Sequence, residues 1–218
     1  MKVCLQSGHE NIQSNCWPQL RGSTGAPGEK DFNVRTRNRL SEILISKGIQ
    51  VQLVDANFNC QSPWQQDYSL YLAIHADANV YGKGGGFVDY PAPDLDAVNE
   101  ESKRIKEAIE SVYFAETGIE NHPERSNANT KRYYMWQVLS PKTPCVIIEC
   151  GVIQDAHDSV ILNDPNIVAI AIARGICKAL NVPYDSLTCE QKLQKIREII
   201  KGKGWSWQKI RNISSLIN

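Results

Sequence analysis

The sequence predicts an α/β protein: a mostly parallel twisted sheet with helices on both faces, followed by a small C-terminal helical hairpin. Three observations carry this expectation. Short apolar runs alternate with segments of helical spacing along most of the chain, as in parallel strands joined by crossover helices. The run Cys145-Val146-Ile147-Ile148 is apolar at successive positions, as in a strand covered on both faces. After Asn181-Val182-Pro183 the alternation gives way to two short amphipathic helical patterns. The 218 residues therefore divide into a main domain, 1–182, and a small helical module, 183–218.

KVCLQSG opens the chain as a strand. From about Lys30 to Lys47, Phe32, Leu40, Ile43 and Leu44 fall near one face of a helix, which Gly48 stops in a C′-like position. IQVQLVDA is the second strand, NCQSPWQQD a loop, YSLYLAIHADA the third strand and GGGFVDYP a short edge strand. Asp94 to about Glu116 reads as a long helix with Leu95, Val98, Ile105, Ile109 and Val112 on one side, closed by Gly118. The polar, turn-rich stretch 119–132 predicts a surface loop, with His122, and later His157, as surface or loop residues. VLSPKTPCVIIECGV holds a buried strand, and NIVAIAIARGICKAL is the apolar helix that closes the domain. In the tail, Leu193, Ile196 and Ile200, then Ile210, Ile213 and Ile217, repeat spacings of 3 and 4 around Gly202 and Gly204. A hairpin of that size is too small to fold well alone and needs a surface to dock on.

Composition narrows the function. Lys plus Arg and Asp plus Glu both number 24, leaving no excess of positive charge for nucleic acid or an anionic membrane. The longest apolar run, Ile167 to Ala173, is seven residues, against roughly 20 for a membrane span. The start MKVCLQSGH has no extended apolar region or cleavage site, so the expectation is synthesis in the cytoplasm without a signal peptide. The seven cysteines, Cys4, Cys16, Cys60, Cys145, Cys150, Cys177 and Cys189, form no C-x-x-C pair and read as reduced thiols, mostly in the core.

Four polar residues fall where predicted strands end and loops begin: His9 in LQSGHE, Glu29 in GAPGEKDF, His75 in YLAIHAD and Glu149 in VIIECGV. Ligands of open α/β sheets gather at the carboxyl ends of the strands. Hydrolytic zinc sites take three protein ligands, commonly two His and a carboxylate, and leave a position for water. A further carboxylate must move the water's proton to the leaving nitrogen. His9, Glu29 and His75 suit the first role and Glu149 the second. Each residue alone has a plainer reading, Glu29 for instance as an acid at a helix start. HENIQ is half of the H-E-x-x-H zinc motif, but Gln13 stands where the second His would be, so that motif is absent. Cys150, beside Glu149, belongs on the opposite face of its strand and is not read as a nucleophile.

With SGHE, GSTGAPGEKDFNV, AIHADAN and IIECGVIQDAHD in this order, residues 1–182 resemble the zinc-dependent N-acetylmuramoyl-L-alanine amidases of bacterial autolysins and phage endolysins. The resemblance implies one zinc ion held by His9, Glu29 and His75, with Glu149 as general base and acid. It implies peptidoglycan as substrate, cut at the amide between N-acetylmuramic acid and L-alanine. Ala73, Asp77 and Val152 stand where the family commonly has Ser, Asn and Phe, which touches groove walls more than the metal ligands. Asp77, Asn79 and Arg132 are candidates for lining a peptide groove. Trp205 and Trp207 offer faces for stacking on sugars, and equally for packing the hairpin or joining two copies into a homodimer. Without an export signal, the expectation is an endolysin-type protein that reaches the cell wall after release. The rival readings are a non-catalytic wall-binding protein and a zinc carboxypeptidase acting on wall peptides.

Overall fold

A computed structural model describes residues 1–12, 25–56, 67–78, 82–95 and 99–184, together with 193 and 200. It divides into two compact units, Met1–Val182 and Pro183–Asn218. The predicted tail hairpin with Trp205 and Trp207, the loop 59–67 in all but its last residue, Asn79, and Cys16, Cys60 and Cys189 lie outside the described residues.

Five strands form one mixed sheet: β1 (Lys2–Ser7), β2 (Gln50–Val54), β3 (Leu70–Asp77), β4 (Phe87–Asp89) and β5 (Cys145–Val152). Their order is β2-β1-β3-β5-β4, parallel throughout except for β4, which runs antiparallel to β5 at the edge. The helices are α1 (Glu29–Ser46), α2 (Asn99–Thr117), α3 (Ala128–Lys131), α4 (Ala156–Leu162) and α5 (Pro165–Ala179).

Alternation along the central strands divides the core into two layers. One set, Val3, Leu5, Leu70, Leu72, Ile74, Val146 and Ile148, is at most 0% exposed. The long helices form a layer in which α5 packs between α1 and α2, with α1 against β1, β2 and β3 and α2 against β4 and β5. The other set, Cys4, Tyr71, Ala73, Cys145 and Ile147, packs on Met135, Trp136 and Leu139 from the chain just before β5. Long helices thus cover one face and short helical turns the other. Cys4, Cys145, Cys150 and Cys177 are free and buried, and burial pushes the thiol of Cys4 up to about 12.

Three details differ from the sequence expectation. The second long helix is Asn99–Thr117, and Leu95 instead sits in a turn, its N–H donating to Ala92 O at 3.0 Å. The stretch 119–132 is not simply a surface loop. It holds a 3-10 turn (Pro123–Arg125) and α3, and its His122, Arg125 and Thr130 are buried. Arg125 is held inside because its guanidinium donates to the carbonyls of Gly84 and Gly85. The segment around His157 is helix α4, capped by the Asp155 side chain, which accepts from the N–H groups of His157 and Asp158.

Candidate functional site

The site lies at the carboxyl end of the sheet, on the face that carries Cys4, Tyr71 and Ile147. His9 follows β1 by two residues and has φ 61, a left-handed backbone that costs a side-chain-bearing residue about 1–3 kcal/mol. Its neighbours hold it there. Gly8 N–H donates to Ile74 O at 2.9 Å, and Asn33 Nδ2 donates to Gly8 O at 3.0 Å. Buried Arg37 donates to Ser7 Oγ at 2.7 Å and Val54 O at 2.9 Å and pairs with Glu10.

Glu29 is the first residue of α1, placed by Gly28, whose φ of 89 favours glycine. The Glu29 side chain turns back into the protein and is 4% exposed. Its Oε2 accepts from Ala26 N–H at 2.8 Å, while Oε1 lies 3.2 Å from His9 Nε2 and 3.1 Å from His75 Nδ1. Burial alone would raise this carboxyl, but its hydrogen bonds with His75 and His9 override that and hold it well below the usual carboxylate range. Burial lowers His75 from its ordinary value, which favours the neutral imidazole that metal binding requires.

Three donor atoms from three elements thus converge within 4.8 Å of one another. The set fits zinc: two imidazole nitrogens and one carboxylate oxygen are a known hydrolytic combination. Zinc bonds of about 2.0–2.1 Å place neighbouring tetrahedral ligands roughly 3.3 Å apart. The two separations from Glu29, 3.2 and 3.1 Å, are close to that spacing.

Glu149 stands beside His75 in the β3–β5 register, so both side chains leave the same face of the sheet. Its carboxyl is raised well above the ordinary range by burial first and then by the charges of Glu29 and Asp77. A cavity of about 700 Å³ is lined by His9, His75 and Glu149, with Asn129, Arg132 and Tyr133 among its other walls. Arg132 forms an ion pair with Asp94 at the surface. Asp77, the other described groove candidate, is not among the lining residues.

A second His/Asp group among the described residues, Asp155, His157 and Asp158, has a structural explanation. Asp155 caps α4, and Asp158 Oδ2 accepts from Gly85 N–H at 2.6 Å and Val152 N–H at 3.0 Å, tying α4 to β5. His157 is exposed as expected, whereas His122 is buried between Glu120 and Glu124.

The sequence reading missed Gln6, Tyr133 and Tyr134. Tyr133 Oη lies 3.1 Å from His75 Nε2 and donates to Gln6 Oε1 at 2.8 Å. A signal was present: Gln6 is a polar residue inside an apolar strand, and the tyrosine pair interrupts the polar run before VLSP.

The sequence model of a family described as N-acetylmuramoyl-L-alanine amidase matches residues 3–181. The fold is similar to that of the N-acetylmuramyl-L-alanine amidase Ami1 from Mycobacterium smegmatis, with a TM-score of 0.63 and 22% identity over 83% of this chain and 97% of that one. It is likewise similar to the catalytic domain of CwlV, an N-acetylmuramoyl-L-alanine amidase from Bacillus (Paenibacillus) polymyxa var. colistinus, with a TM-score of 0.59 and 20% identity over 84% and 99%. The catalytic domain of an endolysin targeting Clostridia difficile matches at a TM-score of 0.57 and 17% identity over 84% and 98%. No curated protein matches the chain.

Proposed function

The chain belongs to the N-acetylmuramoyl-L-alanine amidase family, and from that premise we propose that His9, Glu29 and His75 hold one zinc ion while Glu149 carries the proton in amide hydrolysis. The observation that supports this most is the convergence of His9 Nε2 and His75 Nδ1 on a single oxygen of Glu29. A zinc ion held there supplies Lewis acidity toward a carbonyl oxygen and a water molecule.

The protein's own groups do the rest. Glu149 opens onto the same cavity as the two histidines and accepts a proton from water. It then gives that proton to the amide nitrogen, so that L-alanine leaves as a neutral amine rather than as an unstable anion. Arg132 and Asn129, on the cavity wall, present a guanidinium and an amide to carboxylates and peptide groups of the wall peptide. Tyr133 and Ile147 add an aromatic ring and an aliphatic side chain to the cavity lining.

The test uses purified peptidoglycan incubated with the protein, with and without a chelator. Zinc-dependent appearance of new N-terminal alanine is expected. Release of free C-terminal amino acids in its place would overturn the bond assignment, and full activity after complete zinc removal would overturn the metal assignment. Glu149→Gln is expected to keep zinc and fold while hydrolysis falls at least about 100-fold. Turnover within a few-fold of the parent would remove Glu149 from the role.

A further inference from the structure

The segment that carries Asn129 and Arg132 to the cavity is fastened to the edge of the sheet. Asp89, the last residue of β4, is 2% exposed, and its Oδ2 accepts from the hydroxyls of Ser126 and Thr130, each at 2.6 Å. Ala92 N–H donates to Lys131 O at 2.9 Å, and Trp136 Nε1–H donates to Thr130 O at 3.0 Å. The N–H of Arg132 closes the end of α3 on Ala128 O at 3.0 Å. The backbone leading to Arg132 is thus tied on both sides, whereas the Arg132 side chain is 52% exposed. Arg132 is the only Lys or Arg among the described residues that line the cavity. Its Nη2 donates to Oδ2 of Asp94, in the turn after β4, whose side chain is 62% exposed. That turn is fixed by Leu95 N–H donating to Ala92 O at 3.0 Å, and Ala92 is the residue that bonds Lys131. The hydrogen bond from Arg132 holds the Asp94 carboxyl below the usual carboxylate range.

The chain therefore keeps a carboxylate of its own on the guanidinium of its cavity wall. We propose that Arg132 selects wall peptides carrying a free carboxylate beyond the alanine, and that Asp94 holds the place of that carboxylate until the peptide displaces it. The exchange is cheap, because an exposed ion pair is worth no more than a few-fold in affinity. It is also productive. Among the described contacts Arg132 commits only Nη2 to Asp94, whereas the guanidinium fork can give a carboxylate two parallel hydrogen bonds. A carboxamide of the same shape is a poor substitute, since it offers one acceptor oxygen and turns an NH2 against the donors of the guanidinium. The reach is suitable. Arg132 directly precedes Tyr133, whose ring centroid lies 5.6 Å from that of His75. A peptide advances about 3.3–3.6 Å per residue, so the guanidinium stands within one or two peptide residues of the ligand set. For the identity of the peptide the inference rests on the amidase reading above.

The experiment uses two probes, N-acetylmuramoyl-L-alanyl-D-glutamate with both carboxyls free and its diamide. Binding is measured by calorimetry in the Glu149→Gln chain, so that neither probe is consumed, and turnover is measured in the parent. The diacid is expected to bind about 10-fold more tightly than the diamide. Adding Arg132→Gln is expected to abolish this preference by weakening the diacid alone, with the diamide held within twofold. Adding Asp94→Asn removes the competitor and is expected to tighten the diacid about 2–5-fold while the diamide is unchanged. Both side chains are more than half exposed, so neither substitution disturbs the core. Equal or undetectable binding of the two probes overturns the proposal, as does an equal loss of both on Arg132→Gln. A diacid affinity that Asp94→Asn leaves unchanged or lowers overturns it too, because Asp94 would then not compete. If the binding pattern holds while the parent frees the alanine amine of neither probe, the amidase reading falls and the carboxylate selection stands.

Discussion

A β-carbon added at Gly8 would lie 2.2 Å from Cε1 and 2.5 Å from Nδ1 of His75, so the ring occupies space that only glycine leaves open. Gly8→Ala must move that ring, because Gly8 is itself tied to β3 through Ile74 O and to α1 through Asn33. The expected outcome is a loss of metal affinity of at least about 10-fold, with stability falling by about 1–3 kcal/mol from overpacking. Metal titration and denaturant unfolding check the two parts, and unchanged affinity would mean the ring has room the structure does not offer. At this scale the sequence was informative where residues are neighbours in the chain. The pairs Gly8–His9 and Ile148–Glu149 advertised a polar group at a strand end. The link from Gln6 to Tyr133 spans 127 positions, and nothing in either local context specifies the other. Burial was the other blind spot, since His122 looks like any polar loop residue until Glu120 and Glu124 are brought around it.

The elements were legible in proportion to their dependence on local signals. Phe32, Leu40 and Leu44 do face inward from α1, and Gly48 does follow it with φ 79. The parallel order of β1, β3 and β5 follows from the crossover rule, and β4 joins as the short edge strand its glycine-flanked sequence suggests. α4 went unread because it has only 7 residues, too few for a hydrophobic period, although its Asp155 cap was visible. The stretch 119–132 was misread because its donors satisfy buried carbonyls of a segment some 40 residues earlier, which composition cannot reveal. One contact between elements makes a sharp prediction. A β-carbon at Gly175 of α5 would sit 2.7 Å from the Ile109 Cα of α2, backbone against side chain with nothing flexible to yield. Gly175→Ala gains helix propensity of about 1 kcal/mol in isolation. Here it forces α5 away from α2 and is expected to lower stability by about 1–3 kcal/mol. The zinc affinity of the surviving folded fraction should be unchanged, because none of the three candidate ligands lies on α2 or α5. An unchanged or higher melting temperature would refute the close approach.

For the whole molecule, the balance of 24 basic and 24 acidic residues means that no net field draws this enzyme to its substrate. Recognition then falls to the cleft and to whatever the 183–218 segment contributes. The family match spans residues 3–181, and Met1–Val182 forms a compact unit with its own two-layer core. A chain ending at Val182 is therefore expected to fold cooperatively, bind zinc as tightly as the full chain and cleave a small soluble muropeptide within about twofold of it. Its action on intact walls separates the roles open to Trp205 and Trp207. If those rings stack on wall sugars, each stacking contact of about 1 kcal/mol is lost, and wall binding weakens several-fold while muropeptide turnover holds. If they instead join two copies, wall binding per site holds and the mass in solution falls from dimer to monomer. Sedimentation of both chains with and without insoluble wall distinguishes these outcomes. A truncated chain that fails to fold would show that residues 183–218 complete the core of the main domain, contrary to the division at Val182.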